Sequence, residues 1–579
     1  MDYQKAYESW LADPNIDEAT KEELRSIAND PKEIEDRFYR DLEFGTGGLR
    51  GVVGAGTNRM NVYTVGKATQ GLANYILSSP DYKPGMGVAI AHDSRRMSPE
   101  FTQEAALVLC ANGIKTYTFD SLRPTPLLSF TVRQLGCIAG IVVTASHNPP
   151  EYNGYKVYWS DGAQCTAPRD TDIIHEVQKV EDLTAVKTMS LEAATKQGLF
   201  NIVPLAVDDA FVANVKAQSQ NPDIIPASDL NIVYTPLHGT GNVLVRRVLR
   251  EMGFENVFVV KEQELPDGGF PTVAYPNPED VNAFALAIKL AKEKNADLVV
   301  ATDPDCDRVG VAVKNGEEYT LLNGNMTGVL LAEYLVTQMK DKATLPARAT
   351  IISTIVSTNM TRAICERNGV DYMDVLTGFK FFGAKMKEFD ETGSHQYIYG
   401  FEESYGYLTG TYARDKDAVC ATMLICEAAA FYKGQGLSLY DQLQKLYEKY
   451  GMYKESAESI TLKGVEGVGN IQKIMAALRQ NPPQSLAGIP ITETRDYQSG
   501  VVKNLATGAV TETGLPVSDV LYYAMACDSW ACVRPSGTEP KIKVYFGAKL
   551  PQGSSMADAD AKLAKMAEGM LGMIDEILA

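Results

Sequence analysis

Short apolar runs, each closed by a polar loop, recur along most of the chain. GVAIA from Gly87 predicts a buried strand, KTYTF the next, and GIVVT from Gly140 another. Between the first two, Ser98-Pro99 reads as a helix N-cap with proline at the first helical position. The helix is expected to end at Asn112-Gly113, where glycine is a natural stop. The same order of strand, helix, glycine, strand and later strand returns twice. One copy runs NIVYTP from Asn231, Gly253, NVFVV, then DLVVAT from Asp297; the other runs ATIIST from Ala349, Gly369, DYMDVL, then QYIYGF from Gln396. In the first and third copies, 33 residues separate the glycine from a polar loop position (Gly113 to Ser146, Gly369 to Glu402). The pattern predicts three related α/β domains. The first forty residues read as helices punctuated by Asp13-Pro14 and Asp30-Pro31. After about Tyr450 the texture changes to a helix, short strands and a closing amphipathic helix over 558–578, a smaller α+β domain; Asn481–Pro516 reads as loop-rich.

A chain of 579 residues is too long for one core, which agrees with several domains. The net charge of −18 argues against nucleic acid as the main partner, because a phosphate backbone needs a basic surface. It leaves room for a small anionic substrate held by a few convergent Arg and Lys side chains. No apolar run is long enough to span a bilayer, so no membrane partner is expected. The polar start MDYQKAYESW lacks a basic-then-apolar pattern, and a cytoplasmic location is expected. The nine cysteines include no CxxC and read as buried reduced thiols.

Ligands of open α/β sheets sit beyond the carboxyl ends of the strands, and four informative segments fall in loops. Thr144-Ala145-Ser146-His147-Asn148-Pro149 exposes a serine after a buried strand; a turn with a capping serine has the same pattern. Asp303-Pro304-Asp305-Cys306-Asp307-Arg308 places three carboxylates at i, i+2 and i+4. A hard divalent cation gives them a reason to tolerate one another, whereas a solvated acidic turn would need none. Arg308 and Lys314 occupy the sixth and twelfth places, which excludes an EF-hand. Gly400-Phe401-Glu402-Glu403-Ser404-Tyr405-Gly406 offers carboxylates and a hydroxyl suited to sugar hydroxyls. Arg534-Pro535-Ser536-Gly537-Thr538-Glu539-Pro540-Lys541 combines a guanidinium fork, hydroxyls and a glycine-permitted nest, which is phosphate-binding chemistry; a hairpin turn with a structural Arg is the alternative. No Walker A, GxGxxG or GxSxG pattern occurs.

Taken in order, TASHNP, DPDCDR, FEESYG and RPSGTEPK resemble the α-D-phosphohexomutase family, from about Leu42 to the end, and TASHNPPEYNGYKVYW is similar to its phosphoglucomutase and phosphopentomutase branch. The resemblance implies four domains around a central cleft: three related α/β domains and a smaller C-terminal α+β domain. The expected boundaries are 1–205 (helices and the serine loop), 206–320 (metal loop), 321–450 (sugar loop) and 451–579 (phosphate loop). It further implies a phosphoserine at Ser146 and Mg²⁺ held by Ser146, Asp303, Asp305 and Asp307. Arg50 and Lys156 would flank the serine, which His147 follows, and these three are candidates for proton handling; a charged Arg is a poor base, so Lys156 or His147 is chemically easier. Glu402 and Ser404 would hold sugar hydroxyls, Gly378-Phe379-Lys380 would form a sugar-selecting loop, Arg308 would bind substrate beside the metal loop, and Lys416, Arg534, Ser536, Gly537 and Thr538 would serve phosphate. The implied activity is interconversion of glucose 1-phosphate and glucose 6-phosphate through glucose 1,6-bisphosphate. Pentose mutase and hexose bisphosphate synthase are the alternatives. Mannose-accepting relatives often carry GExSGH where this chain reads FEESYGY, which disfavours a dedicated mannose enzyme. Small sugar phosphates are the expected partners, in a monomer or weak homo-oligomer.

Overall fold

The computed structural model describes residues 2–45, 47–462, 465–535 and 541–579. The chain divides into two compact units, Met1–Asn323 with Phe379–Ser438, and Gly324–Gly378 with Leu439–Ala579.

The first unit opens with three short helices, Tyr3–Ala12, Glu18–Ser26 and Pro31–Phe38. Asp2, Asp17 and Asp30 cap them through their side chains, and Pro31 takes the first turn of the third, where its missing N–H costs nothing. Two sheets follow. The first comprises β1 (Leu49–Val52), β2 (Gly87–His92), β3 (Lys115–Thr118), β4 (Ala139–Val143), β5 (Tyr152–Trp159) and β6 (Phe200–Ile202), in the order β1-β5-β4-β2-β3-β6. The neighbours β4, β2, β3 and β6 run parallel, and β5 is antiparallel to β4. β2 and β4 are buried almost throughout, as strands covered on both faces should be. Their core includes Val88, Ile90, Ile141 and Val143 with Phe101, Ala105 and Leu109 of the helix Ser98–Ala111. The second sheet comprises β7 (Ile232–Thr235), β8 (Val257–Val259), β9 (Leu298–Thr302), β10 (Val309–Asn315) and β11 (Glu318–Leu322), in the order β11-β10-β9-β7-β8. Here β8, β7 and β9 are parallel, and β10 and β11 are added antiparallel. The unit also contains the antiparallel hairpin Gln396–Glu402/Gly406–Thr409.

The second unit holds the parallel pair Ala349–Thr354 and Asp371–Val375, and a large antiparallel sheet. That sheet runs Met452–Thr461, Lys541–Leu550, Trp530–Pro535, Leu521–Met525, Ile489–Asp496, Val501–Asn504 and Val510–Glu512 in spatial order. Ile474, Met475 and Leu478 of the helix Val465–Gln480 and Leu563, Met566, Met570 and Ile574 of the helix Met556–Leu578 bury its apolar face.

Three local expectations are corrected. Ser98 is the first helical residue rather than the cap; Met97 occupies the cap with φ +64, and the Ser98 hydroxyl is drawn instead to Asp93 at 2.9 Å. The segment 481–516 contains strands, because its residues pair backbone to backbone across Ile489–Asp496 and Val501–Asn504 despite the intervening glycines. Cys527 is exposed, while the other eight cysteines are buried.

Candidate active site

The polar loops at the carboxyl ends of β4 and β9 meet within the first unit. Ser146, three residues beyond β4, is 3 % exposed and adopts φ +51, a left-handed conformation rare for a residue with a Cβ. Its backbone N–H donates to Thr144 Oγ1 at 2.8 Å, and its carbonyl accepts from Arg95 Nη2 at 2.6 Å. Held this way, its hydroxyl donates to Asp303 Oδ2 at 2.7 Å.

Asp303, Asp305 and Asp307 are all buried, and one ligand oxygen from each lies within 4.8 Å of the others. The turn that gathers them is closed by the N–H groups of Asp307 and Arg308, which donate to Asp303 Oδ1 at 3.0 and 2.9 Å. Lys156 on β5 reaches Asp305 Oδ2 at 3.0 Å and Asp307 Oδ2 at 3.5 Å, and Lys416 reaches Asp307 Oδ2 at 3.0 Å. Thr125, at the start of the helix Thr125–Gln134, donates its hydroxyl to Asp305 Oδ2 at 3.0 Å and its N–H to the Asp305 carbonyl at 2.9 Å. Asp305 Oδ1 and Asp307 Oδ1 are nonetheless buried with no hydrogen-bond donor. Such oxygens are costly unless something supplies positive charge. An all-oxygen, carboxylate-rich donor set fits a hard divalent cation, so the triad can bind a metal.

The electrostatics follow from burial and pairing. Burial and then the neighbouring carboxylates of Asp305 and Asp307 push Asp303 well above the ordinary range. Burial acts the same way on Asp305, but Lys156 outweighs it and holds that carboxyl low. Lys156 is the converse: burial opposes its charge, yet Asp305 and Asp307 raise it, so it stays an ammonium. His147 Nδ1 lies 3.3 Å from Ser146 Oγ, and burial, with Arg308 and Arg50 nearby, keeps its imidazole neutral.

The hairpin turn at 403–405 lies against the aspartate turn. The Val309 N–H donates to the Tyr405 carbonyl at 3.1 Å, and Arg308 forms a backbone bridge with Gly406. Glu402 is buried, 4.0 Å from Lys416 Nζ, and burial lifts its carboxyl to about 7 although Lys416 opposes this. Ser404 is half-buried in the same turn. Arg308 pairs with Glu279 at 2.6 Å, and Arg50 on β1 lies 3.4 Å from the Asn148 side chain. Ser146, His147, Arg50, Lys156, the three aspartates, Arg308, Glu402, Ser404 and Lys416 therefore share one unit, with those contacts among them. Phe379 and Lys380 belong to it too, but Phe379 stacks on Phe382 at 4.2 Å and Lys380 faces Asp170 at 3.5 Å. Gly378, with φ +123, and Arg534, on the strand Trp530–Pro535, belong to the second unit. Ser536, Gly537 and Thr538 lie outside the described residues.

Sequence reasoning missed Thr125, Glu279, Asp93 and Arg95. The last two had a signal: HDSRR follows the buried strand GVAIA directly, so its charges stand at a strand's carboxyl end beside the serine loop. Among the described residues no helix is long and apolar enough to cross a membrane.

Comparison with known proteins finds relatives along nearly the whole chain. The sequence matches the phosphoglucomutase/phosphomannomutase family in all of its parts: alpha/beta/alpha domain I over residues 41–184, domain II over 209–316, domain III over 323–450, and the C-terminal domain over 484–565. It is 38% identical over 531 residues to a phosphoglucomutase of Staphylococcus aureus strain MRSA252, covering 91% of this chain and 93% of that one. It is 37% identical over 548 residues to that of strain USA300, covering 94% and 96%. In fold it is similar to the phosphoglucomutase parafusin from Paramecium in an open form (TM-score 0.69, 18% identity, 93% and 96% covered). It is also similar to a phosphoglucomutase/phosphomannomutase family protein from Burkholderia thailandensis (TM-score 0.65, 19% identity, 91% and 96% covered). With four matched domains and this degree of identity along nearly its whole length, the chain belongs to the phosphoglucomutase/phosphomannomutase family.

Proposed function

We propose that the protein is a phosphoglucomutase that interconverts glucose 1-phosphate and glucose 6-phosphate through a phosphorylated Ser146 and a glucose 1,6-bisphosphate intermediate, with Mg²⁺ at Asp303, Asp305, Asp307 and Ser146. The observation that carries this reading is the approach of the Ser146 hydroxyl to Asp303, 2.7 Å, beside two further buried carboxylates, each with one oxygen that receives no hydrogen bond. Membership of the family and the likeness to curated phosphoglucomutases support the same sugar.

Phosphoryl transfer asks for in-line positioning and charge neutralisation more than for covalent chemistry by the protein. Bound Mg²⁺ would polarise a phosphoryl oxygen and offset the charge that develops on the transferring group. The remaining work falls to side chains. Ser146 Oγ is the acceptor and donor of the phosphoryl group. Lys156, an ammonium between Asp305 and Asp307, and Arg50 offset charge around it. His147, neutral and 3.3 Å from Oγ, fixes the direction of the serine oxygen and exchanges a proton with it. Glu402 and Ser404 receive sugar hydroxyls. Arg308, kept in place by Glu279, and Lys416 face phosphate. Gly378, Phe379 and Lys380 select the sugar, and Arg534, Ser536, Gly537 and Thr538 grip the phosphate that is not reacting. The bisphosphate turns over between the two transfers, so that grip accepts either end of the sugar. We place the four domains at 1–205, 206–320, 321–450 and 451–579, and the enzyme in the cytoplasm as a monomer or weak homo-oligomer.

The test is kcat/KM for glucose 1-phosphate, ribose 1-phosphate and mannose 1-phosphate with Mg²⁺ and catalytic glucose 1,6-bisphosphate, for the wild type and Ser146→Ala. A preference for glucose 1-phosphate that disappears in Ser146→Ala supports the proposal. A preference for ribose 1-phosphate moves the enzyme to pentoses, and accumulation of bisphosphate from an acyl phosphate donor makes it a synthase. Full turnover by Ser146→Ala overturns the phosphoserine.

A further inference from the structure

The Ser146 loop turns its backbone carbonyls inward, and one side chain collects them. Arg95 is fully buried in the stretch after β2. Its Nη2 donates to the Ser146 carbonyl at 2.6 Å and to that of Asn148; its Nη1 donates to the carbonyls of Pro149 at 2.8 Å and Tyr152 at 2.9 Å. The charge is balanced by Asp93, equally buried, at 3.3 Å from Arg95 Nε. Asp93 also reaches the serine by a second route: its Oδ2 accepts from the Thr144 hydroxyl at 2.6 Å, and that hydroxyl accepts the Ser146 N–H at 2.8 Å. The N–H and the carbonyl of Ser146 are thus both tied to one buried ion pair.

We propose that Arg95, with Asp93 and Thr144, is the positioning device of the phosphoryl-transfer serine: it imposes the left-handed backbone that aims the Ser146 hydroxyl at the aspartate triad. This inference rests on the function proposed above. Arg95 touches backbone carbonyls and no reacting atom, so it is a positioning residue. Its planar fork is what the task needs, because four carbonyls approaching two terminal nitrogens match guanidinium geometry and not an ammonium. The device also links the two sheets of its unit. The ring of Phe270, which lies between β8 and β9, covers the Arg95 guanidinium at 5.1 Å. A Cβ on Gly268 in the same turn would fall 2.6 Å from the Arg96 nitrogen, so that turn sits directly on residues 94–96. The loop after β8 of the second sheet is thereby packed on the arginine that holds the Ser146 loop.

The experiment measures single-turnover phosphorylation of Ser146 by glucose 1,6-bisphosphate, steady-state kcat and KM for glucose 1-phosphate, and Mn²⁺ affinity, in full-length Arg95→Lys, Thr144→Val and Thr144→Ser. Arg95→Lys is expected to slow Ser146 phosphorylation and kcat by about 100-fold, with KM and Mn²⁺ affinity within about threefold of wild type. Thr144→Val is expected to lose about tenfold in kcat, and Thr144→Ser, which keeps the hydroxyl, to recover it. A folded Arg95→Lys enzyme with wild-type kcat, or one that loses KM alone, overturns the inference. If Arg95→Lys does not fold, the Thr144 pair decides: equal kcat in the Val and Ser variants overturns it. A wild-type enzyme that turns over without Ser146 becoming labelled refutes the proposed function itself, a result distinct from any of these.

Discussion

Gly239 offers a test of how closely the aspartate turn is held. The loop after β7 packs on the aspartate turn, and the Thr240 N–H donates to the Pro304 carbonyl at 2.8 Å. A Cβ at Gly239 would stand 2.5 Å from Pro304 Cα and 2.7 Å from its carbonyl oxygen. Ordinary contact begins at 3.4 Å, so Gly239→Ala forces the two loops apart by about 0.9 Å. Neither neighbour is a flexible side-chain tip, so the displacement passes into the backbone that joins Asp303 to Asp305. Overpacking of this kind costs about 1–3 kcal/mol of stability. A misplacement near 1 Å in a reacting constellation costs about 100-fold in rate. The expected result is a kcat lowered by about two orders of magnitude with weaker Mn²⁺ binding, and a lower Tm. The assays are coupled turnover at saturating metal, calorimetric Mn²⁺ titration and thermal unfolding. Gly572→Ala is the control: nothing lies within 4 Å of its Cβ, and it sits on the helix Met556–Leu578, where alanine is favoured by about 1 kcal/mol. A Gly239→Ala enzyme with wild-type kcat and Tm would refute the view that backbone contact fixes the aspartate turn.

Asp305→Asn keeps the shape of the triad and removes one charge; the metal concentration for half-maximal activity is expected to rise by at least tenfold, and chelation is expected to silence the wild type. Metal-independent turnover in either would remove the role given to the aspartates. Ser146→Ala is expected to lose at least about 1000-fold in turnover while binding Mn²⁺ through the three carboxylates, measured by the same titration. Glu402 supplies a pH dependence. Its carboxyl ionises in the folded protein at about 7 rather than the ordinary 4.5, so in the role proposed for it Glu402 would be a full hydrogen-bond acceptor only above neutrality. KM for glucose 1-phosphate is therefore expected to fall about tenfold between pH 6 and pH 8, and Glu402→Gln to flatten that part of the profile. The stability sign is opposite. The unfolded chain releases this proton near 4.5 and the folded one near 7, so the Glu402 contribution to stability declines as pH rises across that window and is constant above it. A KM that is flat in the wild type from pH 6 to 8 would contradict the assignment.

Much of this protein is legible in local pattern. The buried strands GVAIA, GIVVT and DLVVAT announce themselves as short apolar runs, and each ends in a polar, charge- or hydroxyl-bearing loop. DPDCDR points to a cation because three carboxylates in one short loop after a buried strand need an offsetting charge once a turn gathers them, as the turn closed on Asp303 Oδ1 does. Local pattern failed where a long-range partner competed for the same group. Ser98 has the sequence of a cap, but Asp93 and Asn153 claim its hydroxyl. The strands within 481–516 alternate too weakly to be read without their neighbours.

The sequence by itself determined the fold class, the four motifs and the kinds of side chain at the site, because these depend on periodicity and composition. Tertiary structure decided what those side chains are. Lys156 is held as an ammonium against its burial by Asp305, 149 residues away at 3.0 Å, and by Asp307. Ser146, at φ +51, has its carbonyl gathered by a buried arginine 51 residues earlier and its N–H held by Thr144, partners that no local pattern announces. Charge state and orientation are set by burial and by partners brought together across the fold, and no stretch of sequence carries either.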